Sequence, residues 1–283
     1  FTFWLGGGPI EMMLAFIAAG IGNLIRTKLI KHHFTLFLNI AVSISASCFI
    51  YAALLKIAEM AFNVPSIHEA GYICSMLFII PGFPFITSGI DLAKLDLRSG
   101  LERLAYAIIV MVATMFAWIM ALLLRLQPMD FEDLNLTPVL HLILRLIMSF
   151  FGVFGFSIMF NSPASMAATA ALIGAIANSL RLELVDLTGM PAPAAAFAGA
   201  LTAGLLASFI KENNGYPRIS LTVPSIVIMV PGLYLYRAIY NFGIMALSDA
   251  VSWFASAIMI IIALPLGLIF ARILTDKTFR YCT

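Results

Sequence analysis

Residues 78–85 read FIIPGFPF and residues 228–235 read IMVPGLYL, two apolar runs broken at the same place by Pro81-Gly82 and Pro231-Gly232. Proline removes a backbone donor and glycine weakens a helix, so each run is expected to be a helix interrupted near its middle. Upstream of each break lies a second matched pair. Residues 15–26 read AFIAAGIGNLIR and residues 170–181 read AALIGAIANSLR, with Asn23 over Asn178 and Arg26 over Arg181. The chain presents the same order of elements twice.

The solvent for these elements follows from composition. Of 283 residues, 62% are hydrophobic and only 11% charged, with a mean hydropathy of +1.04. That is too little polar surface to coat a soluble globule of this size. The apolar stretches reach roughly 20 residues and lack the alternation of a membrane β-barrel, so the chain reads as an all-α polytopic membrane protein. A net charge of +2 spread between spans gives no basic patch for nucleic acid. The 3 cysteines and 4 histidines have no metal-ligand spacing, and no nucleotide loop, HExxH or GxSxG pattern occurs. No enzyme chemistry, cofactor or metal is expected.

Charges and Gly/Pro signals divide the chain into about nine spans. They are 9–30, 34–55, 67–86, 101–126, 138–160, 163–182, 194–210, 223–240 and 247–274. The repeat begins in the first of these and again in the sixth. About five crossings separate equivalent points, so equivalent helices are expected to run in opposite directions, as in inverted-topology repeats. The halves read as 1–126 and 138–283, joined by an acidic link at 127–137. Because FTFWLGGGP at the start resembles the end of a helix already under way, the first helix of repeat one is expected to lie upstream. Arg26, Lys28, Lys31, Lys94, Arg98, Arg103, Lys211, Arg218, Arg272, Lys277 and Arg280 fall on one side, and only Lys56, Arg125 and Arg181 on the other. The positive-inside rule makes the first side cytoplasmic, the C-terminus with it.

Broken helices in matching positions of two halves mark candidate substrate sites, because half-helix ends offer amides to a carboxylate and carbonyls to an ammonium. The candidates are therefore Pro81, Gly82, Pro231 and Gly232. A kink kept for packing is the alternative at either break taken alone. Arg237, flanked by Tyr234, Tyr236 and Tyr240, either binds a substrate carboxylate or snorkels to the interface. Arg145 lies deep in an apolar run and calls for an acid or carbonyl partner, with His141 one turn away. Glu11, Asp91 and Asp249 are candidates for a coupling proton, although helix-dipole pairing equally accounts for Glu11 and Asp249. Asn23, Asn178 and the Asn39, Ser43, Ser47 face of the second span suit either polar substrate groups or interhelical hydrogen bonds.

MFNSPASMAATAALIGAIANSLRL (159–182) with VPSIVIMVPGLYLYRAIY (223–240) resembles the C-terminal half of the threonine/serine exporter family. LGGGPIEMMLAFIAAGIGNLIR (5–26) with FIIPGFPFITSGIDLAKLDLRSGLERLAYA (78–107) resembles its N-terminal membrane half. The resemblance implies about ten spans, a soluble cytoplasmic domain ahead of the first, and proton-driven export of small hydroxy amino acids by alternating access through the cell membrane. Members whose halves are separate chains are linked to C4-dicarboxylate export, which leaves the substrate open. It carries over site roles for Pro81, Gly82, Asp91, Pro231, Gly232, Tyr236 and Arg237, and for Asn161 at the turn between spans five and six. The expected partners are a small polar substrate, protons and the lipid bilayer, with a homo-oligomer left open and a channel or intramembrane enzyme as the other classes.

Overall fold

The computed structural model describes residues 1–62, 71–126 and 136–280, and every regular element among them is helical. Most of the acidic link, 127–135, falls outside the described residues. Seven helical runs are long and apolar enough to cross a membrane. These are α1 (Pro9–Lys31), α2 (Leu36–Phe62), the run of α5 (Leu97–Ala113) into α6 (Met115–Leu123), α7 (Pro138–Met159), α8 (Ala164–Thr188), α9 (Ala192–Asn214) and α12 (Leu247–Thr275). Two bent pairs add to them. In the first, α3 (Tyr72–Met76) tightens into a 3-10 turn (Leu77–Ile79) before α4 (Gly82–Ala93), with a bend of 46°. In the second, α10 (Arg218–Val227) gives way to α11 (Gly232–Gly243), with a bend of 47°. A short α13 (Lys277–Arg280) closes the described chain. Counting each bent pair as one span gives up to nine, the number read from hydropathy.

Local chemistry sets the ends. Pro9 and Pro138 sit in the first turns of α1 and α7, where a missing N–H costs nothing. Glu11 opens α1, and Lys28 and Lys31 close it, each sign opposite to the dipole end it meets. Left-handed residues then reverse the chain before or after several helices. Gly6 (φ 91) precedes α1 as Asn161 (φ 60) precedes α8, His33 (φ 58) follows α1 as Gly189 (φ 65) follows α8, and Leu95 (φ 63) precedes α5 as Met245 (φ 62) precedes α12. Their hydrogen bonds match too. The Asp96 N–H donates to the Asp91 carbonyl at 3.1 Å and the Ala246 N–H to the Asn241 carbonyl at 2.9 Å, the closure of a Schellman turn.

Packing groups the elements into two compact units that interleave along the chain. One comprises Phe1–Pro81, Ala107–Asn135 and Gly232–Phe254, the other Gly82–Tyr106, Leu136–Pro231 and Ala255–Thr283. The first unit packs α1, α2 and α3 together, with α6 against α2 and α11 against α6. At Gly22 a Cβ would lie 2.5 Å from Ser47 Oγ, so α1 and α2 cross closely only because that position is glycine. Ser47 Oγ lies 3.0 Å from the Ala18 carbonyl and 2.9 Å from the Ser75 carbonyl, tying α2 to both α1 and α3. The second unit packs α7 on α8, α8 on α9, and α10 against α4, α7, α8 and α9. Gly174 on α8 plays the same part there, its absent Cβ leaving room for the Ser225 backbone at 2.8 Å. Ser225 Oγ donates to the Ala170 carbonyl at 2.9 Å, and Asn178 Nδ2 donates to Ser149 Oγ at 2.9 Å. In lipid, where apolar surface has no water to escape, such small-residue contacts and hydrogen bonds hold helices together.

Candidate functional site

All four break residues, Pro81, Gly82, Pro231 and Gly232, are buried. Before each break the helix tightens: the Ile80 N–H reaches the Leu77 carbonyl and the Val230 N–H the Val227 carbonyl, both at 3.2 Å. Past the break a new helix starts, and its first N–H groups have no intrahelical acceptor. Each unit brings one ending half-helix against one beginning half-helix. In the first unit, a Cβ on Gly232 would lie 3.1 Å from Leu77 and 3.2 Å from Ile80. In the second, a Cβ on Gly82 would lie 2.8 Å from Val227 and 3.1 Å from Val230. The break glycines are therefore required by close packing as well as by helix interruption. Carbonyl ends and amide ends come together in the same place, a pairing suited to a zwitterion.

The first unit adds polar groups around its pair of ends. Tyr72 opens α3 and Tyr236 lies one turn into α11; both are fully buried, their hydroxyls hydrogen-bond, and their rings meet edge to face at 6.0 Å. Tyr240, one turn on, leans on Tyr236 at 6.3 Å. Glu11 is only 3% exposed and lies within electrostatic reach of Tyr51 and Cys74. Tyr51 fits because Gly71 has no side chain: a Cβ there would lie 1.9 Å from the Tyr51 hydroxyl oxygen. Asn39, Ser43 and Ser47 are all buried on α2, with Ser43 Oγ donating to Asn39 Oδ1 at 3.2 Å. An acid, three tyrosines and a polar helix face in an apolar core need a reason beyond packing, since such groups are costly in a membrane.

Arg237 is half-buried at the edge of this unit. Its guanidinium lies 4.7 Å over the Trp253 ring, and Tyr234 meets the same ring edge-on at 5.2 Å. The aromatic seat fixes the cation's position.

The remaining candidates are dispersed. Asp91 pairs with Arg103 at 2.8 Å, and Asp249 is exposed in the first turn of α12, where it complements the helix dipole. Asn161 is exposed at its left-handed turn. Asn178 spans two helices through Ser149, whereas Asn23 is half-buried and its carbonyl accepts from Thr27 Oγ1 at 2.8 Å. Arg145 finds two acids on α8: Nη1 donates to Glu183 at 2.7 Å and Nη2 to Asp186. The residues that sequence reasoning passed over are Tyr51, Tyr72, Trp253, Glu183 and Asp186. Only the acid pair left a signal, a three-residue spacing that puts both carboxylates on one helix face.

Long apolar helices, two buried helix breaks and ionisable groups in the core define a multi-pass membrane protein. Residues 1–125 match the family described as "Putative threonine/serine exporter", and residues 145–274 match the one described as "Threonine/Serine exporter, ThrE". The chain belongs to the threonine/serine exporter family. It is also similar to the "Probable succinate transporter subunit YjjP" of Escherichia coli (strain K12), with 31% identity over 116 residues. That match covers 41% of this chain and 44% of the relative, so the chain spans less than half of that protein. No solved structure matches.

Proposed function

We propose that the chain forms a secondary active exporter of small hydroxy amino acids, threonine or serine, working by proton-coupled antiport and alternating access. The observation that carries this reading is the buried break at Gly232, where an ending and a beginning half-helix meet beside Tyr72 and Tyr236, in the same unit as the buried Glu11. The α11 amides suit the substrate carboxylate, and the carbonyls at the end of the Leu77–Ile79 turn suit its ammonium. A tyrosine hydroxyl can hydrogen-bond the side-chain hydroxyl that distinguishes threonine and serine from valine and alanine, the kind of contact that discriminates strongly. Glu11 is the group best placed to exchange a proton with the substrate ammonium, and Arg237 on its aromatic seat is a second anchor for the carboxylate. Asp91 and Asp249 are weaker coupling candidates, because one has an arginine partner and the other sits in solvent.

The alternative is a C4-dicarboxylate exporter of the same architecture, favoured by the likeness to a protein named as a succinate transporter subunit. A buried carboxylate, Glu11, in the unit that holds the Gly232 break opposes a dianion and suits an ammonium, which puts the amino acid first. The matching turns and breaks support two inverted repeats, and the Lys/Arg asymmetry supports a cytoplasmic C-terminus in the cell membrane. Flux of labelled threonine, serine and succinate in proteoliposomes, with and without a pH gradient, tests the proposal. Threonine or serine efflux that rises with an opposing proton gradient is expected. Succinate flux without amino-acid flux would select the alternative, and ionic current without coupled flux would mean a channel.

A further inference from the structure

Away from the breaks, the second unit contains a cavity of about 500 Å³ at the start of α10, where α4 and α12 end. Four cations line it, Lys94, Arg218, Arg272 and Lys277, against one carboxylate, Asp276. Arg218 is fixed in place: Nη1 donates to Thr275 Oγ1 at 2.9 Å and Nη2 to the Gly204 carbonyl at 3.1 Å. Arg272 Nε donates to Asp276 at 3.3 Å while its guanidinium stacks 4.1 Å from the centre of the Phe279 ring. Lys94 and Lys277 make no ion pair at contact distance among the described residues, so the cavity lining holds a positive excess. The rest of its wall mixes apolar side chains, among them Ile219, Leu268 and Ile269, with the hydroxyls of Ser208, Thr222 and Thr275.

We propose that this cavity binds a phosphate-bearing anion, and that the anion is the headgroup of an acidic phospholipid. Like charges held together need a counter-charge, and two arginine forks with two mobile ammonium groups match the several oxygens of a phosphate. The Ile219, Leu268 and Ile269 side chains in the same wall give an acyl chain somewhere to lie, which a free ion does not use. Basic pockets among transmembrane helices are known to hold acidic headgroups in this way. Nothing in the exporter reading requires this site, so either can fail without the other.

The test is native mass spectrometry of the purified protein in detergent, titrated separately with phosphatidylglycerol, phosphatidylcholine and inorganic phosphate. The double variant Lys94→Gln, Lys277→Gln is compared with wild type because neither lysine makes a salt bridge or side-chain hydrogen bond among the described residues. Tighter binding of phosphatidylglycerol than phosphatidylcholine, falling on the order of tenfold or more in the double variant, is the expected result. Binding of inorganic phosphate that falls in the variant, without any preference for phosphatidylglycerol, would keep the phosphate site and make its source the free ion. Equal binding of both lipids together with no phosphate adducts, or an unaltered preference in a folded double variant, would overturn the proposal. Arg218→Gln serves as a second variant, its fold checked by thermal melting.

Discussion

The Tyr72 hydroxyl meets the Tyr236 hydroxyl across 164 residues of sequence, joining the helix that enters one break to the helix that leaves the other. A buried hydroxyl pair in hydrocarbon has no water to fall back on, so removing one oxygen strands its partner. Tyr72→Phe and Tyr236→Phe should each cost about 1 kcal/mol of stability. Each should also slow threonine flux about tenfold or more, the scale of discrimination a hydroxyl-reading site can supply. The double variant should be no worse than the worse single one, because both lose the same bond. Flux and melting temperature across this cycle check it; additive losses would separate the two hydroxyls.

Gly82→Ala should destabilise, since its Cβ would sit 2.8 Å from Val227. The overpacking cost is about 1–3 kcal/mol. Val227→Ala in the same chain should recover part of it. Pro81-Gly82 and Pro231-Gly232 changed to Ala-Ala would gain helix propensity of about 1 kcal/mol per glycine and 3 per proline, offset at Gly82 by that overpacking cost. Loss of thermal stabilisation by threonine in these variants is expected; undiminished stabilisation in both would remove the breaks from the binding site.

Arg237→Ala should abolish most flux while the exposed ion-pair variant Arg98→Ala leaves it intact. Trp253→Ala should weaken transport in the same direction by unseating the guanidinium, a contact of about 0.5–2 kcal/mol. Trp253→Phe should retain more. Normal kinetics in Arg237→Ala would return that residue to a snorkelling role.

Arg145→Met leaves Glu183 and Asp186 facing each other across a lost cation. Removing one partner of a buried pair costs about 3 kcal/mol or more, and the partial exposure of both acids reduces this toward about 1–2 kcal/mol. A melting point lowered by several degrees is expected, with recovery when Glu183→Gln and Asp186→Asn are added. An unchanged melting point in Arg145→Met would mean that the triad adds nothing to stability.

If the proposed inverted repeats hold, single cysteines at Lys31 and Arg181, in the later parts of α1 and α8, should label from opposite faces of the membrane. Labelling of both from one face would exclude the inversion.

Hydropathy made the spans legible because length in lipid is a one-dimensional property. Helix ends were less so. α2 runs to Phe62, well past residue 55, and Lys56 and Glu59 pair at 2.9 Å within that extension. α8 runs to Thr188, past residue 182, because Glu183 and Asp186 are held by Arg145. The breaks were visible as Pro-Gly, a local signal. Tyr72 was not, since its partner lies on a distant half-helix and nothing within a turn of it marks the contact. Tyr51 needed Gly71, an approach between segments that no spacing rule reports.

Ser47 has one proton and two carbonyls within reach, those of Ala18 and Ser75. The Ala18 carbonyl lies in the interior of α1, whereas the Ser75 carbonyl lies in the last turn of α3, where carbonyls lack intrahelical partners. Small sliding of α3 past α1 then exchanges one bond for the other instead of breaking it. The hydroxyl works as a bearing: it keeps the helix that leads into the first break attached while lowering the friction against its movement. Alanine at this position would remove the attachment, whereas threonine would keep the hydroxyl and add a methyl group beside Gly22, stiffening the joint without cutting it.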